Sequence, residues 1–204
     1  PSPTLTGTPR STPTNTPIPA WITDFTEPIL AAINDRKPDF QDDFSSDDPK
    51  GWFGSSLTKK NRQISIEEEV MRLEQGGYLA NVYVTKKMNY VFQVEVSRPA
   101  SCCVRVEIGG DNSIYLGSNE WGICRQNDCS NGNSPSLSFS EQIQVTVIVK
   151  NSDAGFYLMG VPVFHFVDRN LAIEDEKPMI RCSDNFCEFD NVKFWNLDNI
   201  KNLP

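Results

Sequence analysis

Apolar and polar residues alternate with a period of two along most of this chain after about residue 40. In YVFQVEVS, Tyr90, Phe92, Val94 and Val96 fall on one face, and Val91, Gln93, Glu95 and Ser97 on the other. CCVRVEI sets Cys102, Val104, Val106 and Ile108 against Cys103, Arg105 and Glu107. QIQVTVIVK repeats the pattern, with Ile143, Val145, Val147 and Val149 opposite Gln142, Gln144, Thr146 and Ile148. Side chains on a strand alternate sides, so these stretches predict antiparallel strands with one face inward and one toward water. The clusters EQGG, GGDNS, QNDCSNGNSPS and NSDAG punctuate them as turns. Many short strands with such punctuation predict an all-β antiparallel sandwich.

The period lengthens only near the start, in AWITDFTEPILAAINDRKPDF. Ile29, Leu30 and Ile33 make one apolar stripe, and Pro28 sits where a first helical turn tolerates it. Asp24 or Thr26 can cap the start, and Pro38 closes the segment. One short helix over residues 26–36 is expected. Ahead of it, PSPTLTGTPRSTPTNTPIPA holds six Pro and six Thr, with only Leu5, Ile18 and Ala20 apolar. Pro fixes φ and removes donors, which predicts an extended, polyproline-II-like strap. The expected organisation is a strap at 1–22, the short helix and a connector at 23–38, and a sandwich at 39–204.

Composition narrows the setting. The 204 residues carry 19 basic and 27 acidic side chains, a net charge of −8. That argues against nucleic acid and against anionic lipid headgroups, both of which need a basic face. No apolar run is long enough for a transmembrane helix. A chain without an initiator Met fits a mature secreted protein, or a lipoprotein held to a membrane only through an N-terminal anchor. Six cysteines fit an oxidising compartment. Cys124 with Cys129, and Cys182 with Cys187, are spaced to close small loops, although spacing alone does not fix connectivity. Cys102 and Cys103 point to opposite faces of a strand, which argues against a shared partner. Zinc is disfavoured, because C-x-x-C pairs are missing and His165 is the only histidine.

Three stretches resemble secreted bacterial concanavalin A-like (laminin-G-like) jelly-roll domains of the lectin/glucanase superfamily. DFQDDFSSDDPKGWF resembles their opening Asp-Phe strand and Gly-Trp turn. VTVIVKNSDAGFYLMGVPVFHFVD resembles a chain-reversing hairpin, with Met159-Gly160 in place of the usual Asn-Gly. CEFDNVKFWNL resembles the closing strand that pairs with the opening one. The resemblance spans about residues 39–198 and implies a jelly roll. Its function stays open, since the fold hosts lectins, glycanases, adhesion modules and sensor domains. Pairing of first and last strands hides two edges, and it puts Phe44, Trp52, Phe189 and Phe194 in the core around that seam.

Glycanases of this superfamily carry carboxylates alternating along one strand, E-x-D-x-E-like, so that both face one cleft. Glu69 and Glu74 are five apart, on opposite faces of a strand. Glu174 and Glu176 have the right spacing in a polar run that reads as a loop. No nucleophile elbow, P-loop or dinucleotide fingerprint occurs. The expectation is therefore a chain that is not an enzyme: an extracellular recognition or adhesion module for carbohydrate. A structural subunit of an extracellular assembly stands second, and a glycoside-active enzyme third. The candidate sugar site is YLGSNEWGICRQNDC, with Tyr115, Asn119, Glu120, Trp121, Arg125 and Asn127 in one Cys-braced loop. Aromatic faces meet the C–H face of a pyranose there, and planar polar groups take its hydroxyls. A structural calcium is expected where Asp42 and Asp43 of the first strand meet Asp190 and Asn191 of the last, with Asp47 and Asp48 near. For assembly with another copy, the Pro-free Thr4, Leu5 and Thr6 can add one rung to an open sheet edge. Thr4, Thr6, Thr8, Thr12, Thr14 and Thr16 are candidate O-glycosylation sites.

Overall fold

The computed structural model describes residues 17–46, 52–54, 64–74, 78–81, 89–97, 104–109, 112–117, 120–125, 128–132, 142–172, 178–183, 186–201 and 203. The assembly and glycosylation candidates at Thr4, Leu5, Thr6, Thr8, Thr12, Thr14 and Thr16 lie outside these residues. So do Asp47, Asp48, Cys102, Cys103, Asn119, Asn127, Glu174 and Glu176.

The alternating stretches form strands as expected. In chain order they are β1 (Phe40–Asp42), β2 (Trp52–Gly54), β3 (Ile64–Glu67), β4 (Val70–Glu74), β5 (Tyr78–Asn81), β6 (Tyr90–Ser97), β7 (Val104–Gly109) and β8 (Asn112–Leu116). There follow β9 (Trp121–Arg125), β10 (Asp128–Asn131), β11 (Ile143–Lys150), β12 (Asp153–Leu158), β13 (Val161–Val167), β14 (Met179–Cys182) and β15 (Phe186–Asn196). They make two antiparallel sheets. The first runs β13-β12-β11-β6-β15-β4-β3 with β1 also on β15, and the second runs β10-β9-β8-β7-β14-β5-β2. The inner faces share one core, in which Phe92, Phe156, Phe189, Met71, Leu116 and Ile114 are at most 2% exposed. Phe44, Trp52, Phe189 and Phe194 are buried as expected.

β1 closes the chain onto β15, with Phe40 opposite Phe194 and Asp42 opposite Val192. The β12–β13 turn places Met159 (φ 51°) and Gly160 (φ 75°) in the left-handed region. Cys124–Cys129 and Cys182–Cys187 are both disulfides.

The helix begins earlier than its pattern suggests. A π-helical turn, Ile22–Thr26, leads into α1 (Glu27–Ile33), and no side chain caps either start. Thr26 does not cap because it is committed elsewhere. It is fully buried, and its hydroxyl lies 2.5 Å from the Tyr157 hydroxyl and 3.4 Å from the Ile22 carbonyl. Asp24 instead accepts from Thr23. The helix lies on the outer face of the first sheet, where Ile29 and Ile33 pack on Val91, Ile148, Tyr157, Trp195 and Leu197. All but Leu197, which follows β15, occupy polar-face positions of the strand alternation; the helix makes them a second core. Gly155 permits the approach, since a Cβ there would stand 2.5 Å from the Thr26 methyl. Trp21 stacks on His165 with centroids 5.5 Å apart, and His165 Nε2 lies 3.0 Å from Asp153 Oδ1. The single histidine is thus a packing residue under the helix.

Ile29→Ala removes a fully buried side chain from this second core. Its unfolding free energy in urea is expected to fall by about 2–5 kcal/mol, the cost of a buried Ile-to-Ala truncation.

Candidate functional site

On β9 and β10, strand alternation divides what the sequence groups together. Trp121, Ile123 and Arg125 share one face of β9, opposite Leu116, Ile114 and Asn112 of β8; Gly122 and Cys124 share the other. Trp121 is inward and 4% exposed, resting against Gly132, where a Cβ would stand 2.2 Å from the indole. The expectation of Trp121 as a surface sugar platform is corrected: its first-position parity on β9 sends it into the core. Arg125 shares the parity of Trp121 but is exposed at the end of β9, its guanidinium 4.9 Å from the Phe166 ring centroid. Tyr115 and Glu120 alone of the described candidates stay together outside, linked through Asn131. The Tyr115 hydroxyl donates to Asn131 Oδ1, and Asn131 Nδ2 donates to Glu120 Oε2 at 2.8 Å.

That pair belongs to a larger array on the outer face of the second sheet. Register places Tyr78, Arg181, Arg105, Tyr115, Gly122 and Asn131 in one row across β5, β14, β7, β8, β9 and β10. Gly122 has no side chain because the Tyr115 ring lies over it: a Cβ would sit 2.4 Å from that ring and 2.4 Å from the Ser130 carbonyl. Arg181 Nε bonds Glu107 Oε1 at 3.1 Å in the neighbouring row. Arg105 stands mid-row with a buried Nε that has no hydrogen-bond partner among the described residues. A desolvated guanidinium nitrogen left without an acceptor costs free energy, and an acceptor from outside the chain would recover it. The array thus offers an aromatic ring, cationic donors and carboxylate acceptors on one rigid surface. Arg105 and Glu107 were visible as the polar face of CCVRVEI; what the sequence could not show was which strands flank them.

The first sheet carries a second polar cluster. Glu188 and Asp190 alternate on the outer face of β15, an E-x-D spacing inside the stretch read as closing strand. Asp190 pairs in register with Glu95 of β6, so both carboxylates project from the same side. The register breaks after Asp190, and Asn191 takes φ 48° there. That turn lets its amide nitrogen reach Glu95 Oε2 at 2.8 Å, while its backbone N–H donates to Asp190 Oδ1 at 2.6 Å. Partial burial pushes the Asp190 carboxyl above the ordinary carboxylate range, the Asn191 N–H opposes this, and Glu95, Asp43 and Glu69 add to the rise.

The four expected calcium ligands are split. Asp43 and Asp190 do come within electrostatic range, and Asn191 adjoins them. Asp42 turns inward, where its two oxygens accept from Trp52 Nε1 at 2.7 Å and from the Phe44 N–H at 2.8 Å. Its parity with Phe40 on β1 explains this. Among the described residues, no group of three or more His, Cys, Asp or Glu is placed to hold a metal.

No family model matches this chain, and no curated protein does. Solved structures do match. The carbohydrate-binding module CBM66 from Bacillus subtilis is 9% identical, with a TM-score of 0.51 over 72% of this chain and 96% of that one. A prokaryotic beta-1,3-1,4-glucanase (lichenase) derived from a mouse hindgut metagenome is 10% identical, with a TM-score of 0.56 over 77% and 98%. The Bacillus licheniformis beta-glucanase is 7% identical, with a TM-score of 0.53 over 79% and 99%. The chain has the concanavalin A-like jelly-roll fold. The expectation that it is not an enzyme is overturned. Glucanases stand among its structural neighbours, and the premise of that expectation, no carboxylates paired on one strand face, fails at Glu188, Asp190 and Glu95.

The raised pKa of Asp190 has a consequence for stability. The folded state holds this proton more tightly than the unfolded chain, so the group's stabilising contribution is present below the ordinary value of 3.8 and is lost as pH rises through the higher folded value. Asp190→Asn is expected to raise the melting temperature at neutral pH, with the gain vanishing below pH 3.8. Differential scanning calorimetry across that range checks it, and an equal change at all pH values counts against the assignment.

Proposed function

We propose that this chain is a secreted carbohydrate-handling domain that holds a glycan across the outer face of its second sheet. The observation that carries the reading is Arg105, between Tyr115 and Arg181, with a buried Nε unpartnered among the described residues. A pyranose offers hydroxyls, which accept from a guanidinium and donate to a carboxylate, and an apolar C–H face, which an aromatic ring covers. Tyr115 supplies the ring, Arg105 and Arg181 the donors, Glu107 and Glu120 the acceptors. The Tyr115–Asn131–Glu120 chain and the Arg181–Glu107 pair hold these groups in place before a ligand arrives, which lowers the ordering cost of binding. Two small-loop disulfides suit an oxidising, extracellular setting. The carbohydrate-binding module and glucanases of the same fold support the ligand class by analogy.

Isothermal titration against a panel of soluble glucans, xylans and fructans checks this. Wild type is expected to bind at least one, and Arg105→Ala or Tyr115→Ala to bind it about tenfold more weakly or worse. Binding by none of the panel, or equal binding by both variants, removes the reading.

A second reading is favoured by one specific observation, the register pairing of Asp190 with Glu95 on the outer face of the first sheet. Glycoside cleavage needs one carboxyl that keeps its proton and one that stays ionised. Asp190, raised by burial and by its acidic neighbours, suits the acid that protonates the leaving oxygen. Glu95, bonded by the Asn191 amide, suits the carboxylate that attacks or activates water. Release of reducing ends from the same glycans is then expected, with Asp190→Asn and Glu95→Gln each at least ~100-fold slower. Unchanged rates in both variants would assign any turnover elsewhere.

A further inference from the structure

The two sheets end side by side at β10 and β13, the last strands of their respective orders. At this edge the interior is not filled by apolar groups. Cys124 and Cys129 are register partners joined on the outer face of the β9–β10 hairpin. Parity therefore turns Ile123 and Arg125 of β9, and Asp128 and Ser130 of β10, toward the facing sheet. With Phe164 of β13 and Asp168 just beyond it, they line a cavity of about 440 Å³. That is within the ~300–1,000 Å³ of small-molecule sites.

The wall is arranged by chemistry. Ile123 and the half-buried Phe164 form an apolar side. The Arg125 guanidinium lies 4.9 Å from the Phe166 ring centroid, and its side chain makes no hydrogen bond among the described residues. Asn112, 1% exposed and paired in register with Arg125, donates to Asp168 Oδ2 at 3.3 Å and holds that carboxylate beside the cavity. Asp128 is the register partner of Arg125 on its other side. A donor fork thus sits between two carboxylates, with a hydroxyl at Ser130 and an aromatic ring opposite.

We infer that this cavity is a second saccharide site, distinct from the outer face of the second sheet, and that it takes a sugar unit by a vicinal diol. Adjacent hydroxyls each donate to a carboxylate and accept from a guanidinium, and a fork between two carboxylates satisfies both at once. An isolated anion would meet two negative groups, and a simple cation would meet the arginine. The sugar's C–H face rests on Phe164. The ligand class agrees with the function proposed above, but the residues are separate, so either site can fail without the other.

The test is an amide NMR titration of the full chain with methyl glucoside, methyl galactoside, methyl mannoside and fructose, with leucine and 1,3-propanediol, whose hydroxyls are not vicinal, as controls. At least one sugar is expected to shift amides of β9, β10 and β13, with leucine and 1,3-propanediol inactive there. Arg125→Met keeps the stem and removes the donors; it is expected to weaken that response about tenfold or more. Arg105→Met is expected to leave it unchanged. Arg125 is exposed, and an unchanged spectrum away from the edge shows that the variant folds. The inference is overturned if no sugar shifts these amides, if leucine does so as strongly, or if Arg125→Met responds like wild type. Sugar-induced shifts confined to β7 and β8 would support only the outer-face site.

Discussion

Nearly everything in this molecule depends on the pairing of β15 with three other strands. It takes β6 along one side and β4 and β1 along the other, before and after the break at Asp190. A strand of eleven residues at the middle of a sheet cannot shift register by one without turning Phe189, Val192 and Phe194 out of the core. Its inner face thereby sets the seam on which β1 closes. Its outer face sets two further features: Trp195 roofs the second core under α1, and Asp190 meets Glu95. Packing, helix docking and the acidic pair share one register.

The helix changes the chemistry of the first sheet by division. It covers the β12, β11, β6 and β15 positions around Tyr157, Ile148, Val91 and Trp195. Farther along the same strands, Gln93, Thr146, Glu95 and Asp190 keep polar partners: Gln93 donates to Thr146 at 3.1 Å, and Asn191 to Glu95. The second sheet instead bears a continuous polar row. A desolvated arginine in the middle of such a row is poorly suited to stability alone, since a guanidinium nitrogen without an acceptor favours unfolding. Its presence suits a surface organised around something else.

The hairpin of β9 and β10 shows how two neighbouring side chains come to serve different places. Cys124 points out and is bonded across the hairpin; Arg125 takes the other parity, beside Phe166. Residues quoted as one polar loop are therefore distributed between an outer face, a core and an edge cavity. Their linear proximity is real but carries no information about direction until a strand is assigned there.

Several features were legible in the chain alone, for reasons internal to short segments. Alternation marked β6, β7 and β11 because burial of one face requires it over a few residues. The aromatic seam around Trp52 and Phe189, and the loop-closing spacing of Cys124 with Cys129 and Cys182 with Cys187, needed little more. The capping role of Thr26, the outward placing of Trp121 and the convergence of Asp42 with Asp190 were misread, because each turns on a partner in another element: Tyr157 of β12 for Thr26, Leu116 of β8 for Trp121, Trp52 of β2 for Asp42. The row through Arg105 and the Asp190–Glu95 pair likewise exist only once β7 lies between β8 and β14, and β15 beside β6. Local periodicity determined that this chain would make two-faced strands. Which faces meet, and hence where its charged groups gather, was decided only by the non-local register that tertiary packing enforces.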